Sequence, residues 1–145
     1  MRELPRKLTE DELVELFEGH TRLVERLAET ENPLERADEI LATLTEDEKL
    51  EALNAHPAIG ARRLSPRSAA EQGSDADPAI LSELAYLNQV YEEEFGFRFV
   101  VFVHGRSKRE VLEVLRNRIA RGREEELDTG CRELVAIARD RWTAE

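Results

Sequence analysis

The chain has 145 residues, of which 41% are hydrophobic and 37% are charged, so it can bury one core beneath a well-solvated surface. Its formal net charge of −11, from 21 basic and 32 acidic residues, argues against broad binding to nucleic acid or to anionic membranes. Its single cysteine, Cys131, excludes an internal disulfide and favours a reducing compartment.

Capping signals and apolar spacing predict helices from the N-terminal end onward. Residues 9–12, 45–48 and 107–110 each have Ser or Thr followed three positions later by Glu, which is the pattern of a capping box. Apolar residues at helical spacing between positions 13 and 27 predict one continuous first helix, on whose charged surface His20 lies.

The next two helices are predicted from proline positions. Pro33 opens a second helix. A third is predicted over about residues 46–55, because Pro57 disfavours helical geometry at His56. A loop rich in Gly, Arg, Ser and Pro follows, and then a short helical turn at residues 68–72.

A long fourth helix is predicted over about residues 78–95. Asp77 provides an N-cap, Pro78 suits the first helical position, and Gly96 ends the helix. Its predicted apolar side consists of Ile80, Leu81, Leu84, Leu87, Val90 and Tyr91.

The last two helices are predicted over about residues 108–120 and 123–142, with Gly122 between them as a C-cap signal. The sequence contains no internal repeat, linker or low-complexity segment. We therefore predict a single compact all-α domain over residues 1–145.

One segment departs from the helical pattern. Residues 97–103 are β-branched and aromatic, as strands are, yet no second strand is predicted that could pair with them. Their backbone groups need partners, which helix ends, a dimer partner or a bound ligand could supply. The segment is therefore either a connector that crosses the core or a backbone wall that lines a pocket.

His56 is the histidine with the most constrained position. It ends a helix and is held by Pro57, whereas His20 and His104 are expected in polar surroundings, where both could be exposed. A histidine can donate or accept a proton near neutral pH. His56 is therefore either a structural residue or a catalytic acid/base.

A polar trio follows His56. Ser68, Glu71 and Gln72 are three and four residues apart, so on a helical turn they share one face. Ser68 and Glu71 also fit a capping box, but that role leaves Gln72 unexplained. Three arginines between positions 62 and 67 make the preceding loop locally basic, which could help to admit an anion, although a solvated loop is the simpler cause.

An arginine of the last helix is predicted to face the core. At about 100° per residue, Arg141 falls about 20° from Leu134, near the edge of the apolar stripe. Arg139 lies on the opposite flank of the stripe. An arginine on the core side needs a partner, either a structural carboxylate or the carboxylate of a substrate.

Other chemistries have little support in the sequence. A metal site could be built from His56, Glu71 and His104, but no pair has the spacing of metal ligands. There is no glycine-rich phosphate loop and no nucleophile elbow. We therefore expect no metal.

The sequence also predicts a protein that neither crosses nor binds a membrane. There is no N-terminal secretory signal, and the longest apolar run, residues 99–103, is far too short to span a bilayer. Cys131 lies at helical spacing among apolar residues, which favours a buried and inert thiol. We therefore expect a cytoplasmic protein.

As a set, these residues resemble the OHCU decarboxylase family, the 2-oxo-4-hydroxy-4-carboxy-5-ureidoimidazoline decarboxylases of the urate-to-allantoin pathway. The matching motifs occur in family order over roughly residues 10–142. They are "AHPAIG", "SPRSAAEQ", "LAYLNQVYEEEFGFRFVVFVHGRSKREVLEVLRNRI" and "ELVAIARDRW".

The resemblance implies an all-α fold peculiar to this family, usually a homodimer, that decarboxylates OHCU to (S)-allantoin without a metal or an organic cofactor. It implies that His56 is the catalytic acid/base and that Glu71 contacts the substrate, either as a second catalytic residue or only to orient it. The other implied substrate contacts are Pro57, Ser68, Gln72, Arg141 and the backbone of Phe99, Val100, Val101, Phe102 and Val103.

Three alternatives stay open on the sequence alone. Arg139 could hold the substrate in place of Arg141. The chain could be a helical binding module without catalysis. It could also be a decarboxylase that acts on a different ureide.

Overall fold

The computed structural model describes residues 3–57 and 77–144, and these ranges contain seven α-helices and no strand. The helices are α1 (Glu10–Phe17), α2 (Arg22–Ala28), α3 (Pro33–Thr43), α4 (Glu46–Ala55), α5 (Pro78–Phe95), α6 (Lys108–Ile119) and α7 (Arg123–Thr143). The all-α prediction is confirmed. Within the described ranges, no helix combines the length and apolar character needed to cross a membrane.

The helix starts follow the capping chemistry of the sequence. At α1 the Thr9 hydroxyl accepts from the Glu12 amide at 3.1 Å, and the Glu12 carboxylate accepts from the Thr9 amide at 3.0 Å. The same reciprocal pair begins α4 and α6, so the three predicted capping boxes are confirmed. At α5 the Asp77 side chain accepts from the Ala79 amide at 3.0 Å, and Pro78 opens the helix.

The first predicted helix consists of two helices, and the prediction of one continuous helix through His20 is wrong. α1 ends at Phe17, and its C-cap is Glu18, whose φ of 68° lies in the left-handed region. α2 begins after Thr21, whose hydroxyl accepts from the Val24 amide at 3.3 Å. The apolar spacing continues across the break because both helices turn their apolar sides to the same core. His20, in the turn, is exposed as predicted.

Contacts with α4 fix this turn. The Glu51 carboxylate accepts from the Arg22 amide at 2.7 Å. A Cβ placed on Gly19 would lie 3.1 Å from the Ala55 Cβ, so the turn and the end of α4 approach too closely for a larger residue to fit without a shift. The break therefore depends on a tertiary contact, which periodicity along the sequence does not register.

α7 lies against α1, α3 and α4 and carries its predicted apolar stripe into the core. The buried stripe residues are Leu127, Cys131, Leu134, Val135 and Ala138, and Trp142 is half-buried. Gly122 was predicted to cap the end of the preceding helix, and this is wrong. It precedes α7 as its N-cap with φ −77° and ψ 154°, a conformation open to any residue, while the C-cap of α6 is Ala120.

α5 packs against α6 and only partly follows its predicted apolar side. Leu84 and Tyr91 are buried as predicted, and Phe95 is buried with them. Leu81, which was predicted on the same side, is 36% exposed. The apolar residues of α5 therefore extend beyond the side of the helix that the rest of the described chain covers.

A buried polar network links α5, α6 and α7. Glu126 is fully buried and accepts from the Tyr91 hydroxyl at 2.6 Å and from Arg118 Nε at 2.8 Å. Arg118 Nη1 donates to the Val100 carbonyl at 2.7 Å, and its guanidinium lies 4.7 Å from the centre of the Phe99 ring. Burial and the bond to Glu126 raise the pKa of Tyr91, so its hydroxyl stays protonated and acts as the donor.

We predict that Arg118→Met destabilises the fold by about 3–5 kcal/mol, because it removes the buried cation of the Glu126 carboxylate and leaves only the partly exposed Arg121, whose Nη1 lies 3.1 Å from Glu126 Oε2. The measurement is the free energy of unfolding in urea. The matched control is Arg116→Met on the same helix, since Arg116 pairs with Glu83 and Glu113 at the exposed surface. Equal effects of the two substitutions would contradict a stabilising role for the buried network.

Candidate active site

His56 is held by its backbone at the C-terminal end of α4. Pro57 disfavours helical geometry at the preceding residue, and His56 accordingly has φ −78° and ψ 136°. Its amide donates to the Leu53 carbonyl at 3.2 Å, and its own carbonyl accepts from Arg98 Nη1 at 2.7 Å. The backbone of His56 is therefore anchored on both sides of the residue.

The His56 imidazole is buried and electrically neutral at pH 7. The residue is 7% exposed, and Nδ1 has no hydrogen-bond partner among the described residues. Burial lowers the pKa of His56 to about 4; the positive charges of Arg141 and Arg98 act in the same direction, and the negative charge of Glu18 opposes them. Because buried polar atoms are nearly always paired, such a nitrogen is suited to bond a ligand.

Arg141 enters the same region from α7. It is 3% exposed, which confirms the prediction that it faces the core. Its Nη1 donates to the Leu16 carbonyl at 3.0 Å and lies 3.1 Å from Glu18 Oε1. Of the two kinds of partner expected for this arginine, the structural carboxylate is thus present in the form of Glu18.

Arg139 binds to α3 and not to the region of His56. Its Nε donates to the Leu34 carbonyl at 2.7 Å, and its Nη2 donates to the Glu35 carbonyl at 3.2 Å and to Asp38 Oδ2 at 3.4 Å. These bonds tie α7 to the first half of α3. Arg139 is therefore engaged in helix packing, whereas Arg141 acts on the charge state of His56.

Residues 97–103 connect α5 to α6 through the core without forming a strand. Side chains of three helices bond to its backbone. Asn54 accepts from the Arg98 amide at 2.9 Å, and Glu133 accepts from the Phe102 amide at 3.3 Å. The third is the Arg118 bond to the Val100 carbonyl already described.

Most side chains of this connector are buried. The buried members are Phe97, Phe99, Val100, Val101 and Val103, and Phe102 is half-buried. The connector interpretation is confirmed, while the role of this backbone in lining a pocket stays a prediction.

Part of the predicted site lies outside the described residues. This applies to Ser68, Glu71 and Gln72, to the helical turn predicted at 68–72, and to the arginines between positions 62 and 67. Their proximity to His56 stays a prediction.

His104, by contrast, is among the described residues. It lies in a turn with φ 47° and is exposed.

A metal site would need three or more His, Cys, Asp or Glu side chains that converge on one point. No such cluster occurs in residues 3–57 and 77–144. The expectation of a metal-free site concerns the whole chain and stays a prediction.

A cavity of about 600 Å³ lies elsewhere, between α3, α4 and α7. Its lining carries charges of both signs and includes Cys131, but none of the predicted site residues. Burial raises the pKa of the Cys131 thiol to about 11, so the thiol stays protonated at neutral pH. The prediction of a buried cysteine is confirmed.

Two residues beside His56 were not singled out from the sequence. Glu18 is one of 32 acidic residues and has no motif of its own, although Gly19 and the N-capping Thr21 mark the break beside it. Arg98 carried a clearer signal, since it is the one charged residue within the apolar segment 97–103. A charge in such a segment requires a partner, which is the His56 carbonyl.

We predict that stability falls between pH 6.5 and 4 in a way that depends on His56. Its folded-state pKa lies below the unfolded value, so its contribution is complete above pH 6.5 and is lost as the pH falls towards 4. At about 1.4 kcal/mol for each pKa unit, the contribution is up to about 3 kcal/mol. The measurement is the melting temperature against pH.

The matched variants for this test are His56→Asn and His20→Asn. The first should flatten the curve between pH 6.5 and 4, and the second, at an exposed site, should keep the wild-type slope. A wild-type slope in His56→Asn would contradict the assignment.

Comparison with known proteins agrees with the motifs and the fold. A family model described as OHCU decarboxylase matches residues 3–143. The uric acid degradation bifunctional protein of Bacillus sp. (strain TB-90) is 29% identical over 105 residues, which are 69% of this chain and 21% of that protein. The chain thus spans about a fifth of the length of that relative.

Two further similarities cover nearly the whole chain. The 2-oxo-4-hydroxy-4-carboxy-5-ureidoimidazoline decarboxylase of Haloferax volcanii is 28% identical over 148 residues, covering 91% of this chain and 88% of that protein. A crystal structure of OHCU decarboxylase in the presence of (S)-allantoin superposes with a TM-score of 0.75 at 24% identity, covering 90% of this chain and 94% of that one. The structural similarity establishes the fold.

Proposed function

Because the chain belongs to the OHCU decarboxylase family, we propose that it decarboxylates OHCU to (S)-allantoin in urate degradation. The observation that carries the proposal is the buried, neutral imidazole of His56 beside the guanidinium of Arg141. These are the two groups that the family motifs single out at the end of α4 and in α7, and they come from positions far apart in the sequence.

The charges near His56 suit an anionic substrate. The chain as a whole carries −11 and repels anions, so a carboxylate needs a local concentration of positive charge. Among the charges that act on His56, the two cations Arg141 and Arg98 outnumber the one carboxylate, Glu18, and Arg98 Nε also lies 3.4 Å from Glu92 Oε1. We assign to Arg141 the bidentate contact with the substrate carboxylate, since Arg141 acts on His56, whereas Arg139 does not and lies against α3.

Decarboxylation breaks the bond between carbon and the carboxylate and leaves an electron pair. In OHCU the adjacent carbon–nitrogen system of the ring can accept that pair, so no cofactor is needed as an electron sink. The hydroxyl on the carbon that lost the carboxylate then gives up its proton and becomes a carbonyl, and the neighbouring ring carbon, which bears the ureido group, takes up a proton. The neutral imidazole of His56 can accept a proton from the substrate and return it to that carbon, and a fixed ring returns it to one face. This accounts for a single stereoisomer of the product.

The rest of the proposed site completes the pocket. Glu71 orients the ureido and hydroxyl groups, or acts as a second catalytic residue. The remaining proposed substrate contacts are Pro57, Ser68, Gln72 and the backbone of Phe99, Val100, Val101, Phe102 and Val103. The buried connector at 97–103 supports this set, because Arg98 joins it directly to His56.

We predict that His56→Asn lowers the rate of OHCU decarboxylation by about 10²–10⁴-fold, the usual contribution of general acid–base catalysis. OHCU is generated in situ from urate, and (S)-allantoin is followed by circular dichroism. The helical far-UV spectrum should be retained above pH 6.5, and His20→Asn serves as the surface control. Full activity in His56→Asn would remove this residue from the mechanism.

The wild-type protein in the same assay tests the proposed function itself. Faster loss of OHCU, with optically active allantoin as the product, supports it. Binding of (S)-allantoin without any acceleration would identify a binding module instead. Acceleration with another ureide, but not with OHCU, would identify a different decarboxylase.

We further propose that the protein acts as a homodimer of one domain, residues 1–145, in the cytoplasm. The support for a second copy is apolar area of α5 that the described chain leaves uncovered: Tyr86 is 65% exposed, and Leu81, about 140° away around the helix, is 36% exposed. The support for a reducing compartment is the single buried thiol of Cys131.

We predict that Tyr86→Lys shifts the protein from dimer to monomer in sedimentation equilibrium, because a charged side chain in place of the exposed ring opposes an apolar contact with a second copy. Tyr86→Phe keeps the apolar ring and should remain dimeric. A monomeric wild type, or a dimer that survives Tyr86→Lys, would exclude this surface as the interface.

A further inference from the structure

The C-terminal end of α1 converges with the ends of α4 and α7 beside His56. Glu18, which ends α1, has a φ of 68°, a conformation that residues other than glycine seldom adopt. Its amide donates to the Val14 carbonyl at 2.8 Å, and the next residue, Gly19, lies against Ala55. The unusual backbone is therefore maintained by contacts on both sides, and it places the Glu18 carboxylate 3.1 Å from Arg141.

We propose that Glu18 is a positioning residue of the candidate site: its carboxylate holds the Arg141 guanidinium beside His56 in the orientation that binds the substrate carboxylate. This inference rests on the proposed function. It goes beyond the family motifs, which single out His56 and Arg141 but assign no role to the end of α1.

The geometry favours positioning over simple charge compensation. The Glu18 side chain is only 12% exposed and that of Arg141 only 1%, so both groups have lost most of their hydration. Arg141 is also bound to the Leu16 carbonyl, so its guanidinium has at least two fixed acceptors on one short stretch of α1. An arginine held in this way has little freedom left to lose when an anion binds.

Glu18 also acts on His56 itself. The charged groups that influence the imidazole are Arg141 from α7, Arg98 from the connector and Glu18 from α1. The two arginines favour the neutral ring, and Glu18 opposes them. A single carboxylate thus orients the anion-binding arginine and moderates its effect on the proton affinity of the imidazole.

The first experiment compares Glu18→Gln with Glu15→Gln, an exposed position on the same helix. Glu18→Gln should raise the KM for OHCU and the Kd for (S)-allantoin by between about tenfold and a hundredfold, with a smaller effect on kcat. Glu15→Gln should match the wild type. Wild-type KM and Kd in Glu18→Gln would overturn the proposal.

The second experiment is a double-mutant cycle with Arg141→Gln. If Glu18 acts through Arg141, adding Glu18→Gln to Arg141→Gln causes no further loss of kcat/KM or of (S)-allantoin affinity. Losses that multiply would overturn the proposal. A single substitution leaves one buried charge without its partner and could prevent folding. The doubly substituted protein removes both buried charges together and is therefore expected to fold even in that case.

A third measurement does not depend on catalysis. The His56 imidazole is titrated by its ¹H–¹⁵N chemical shifts, and Glu18→Gln should titrate at lower pH than the wild type and Glu15→Gln. An unchanged titration would contradict the electrostatic part of the proposal. If the wild-type protein fails to decarboxylate OHCU, the proposed function fails, whereas this titration still tests the link between Glu18 and His56.

Discussion

The burial of Arg141 against the end of α1 is the interaction on which the arrangement of the candidate site depends. An arginine side chain can lie 1% exposed in a helical core only if the surrounding chain supplies acceptors, and the Leu16 carbonyl and Glu18 do so. α1 must therefore stop where it does, and the turn after it must approach α4 closely. One buried charge thus relates the positions of three helices and brings His56, at the end of α4, into the field of Arg141.

The electrostatic balance around His56 follows from the same arrangement. In an acidic chain, an imidazole would ordinarily have acidic neighbours that favour its protonated form. Here burial and two arginines outweigh the one nearby carboxylate, and the ring stays neutral across the physiological range. A neutral ring beside fixed positive charge suits a reaction in which a carboxylate must be held while a proton is moved.

Local chemistry explains what the sequence could predict. The capping boxes and Asp77-Pro78 depend on a few adjacent residues, so the bounds of α4 and α5 were predicted correctly. The break at Glu18 was missed because apolar spacing continues through it and the cause lies in a contact with Ala55. Arg141 could be placed by the geometry of its own helix, whereas its partner Glu18 could not, since that pairing joins positions far apart in the chain.

The connector at 97–103 has a consequence for how the protein could vary. Three of its backbone groups are each held by a different helix, through Asn54 of α4, Arg118 of α6 and Glu133 of α7. Its position is therefore set jointly by helices that also form the core. Repacking in any one of these helices would therefore shift the connector by fractions of an ångström, so a substitution could move this backbone without touching it.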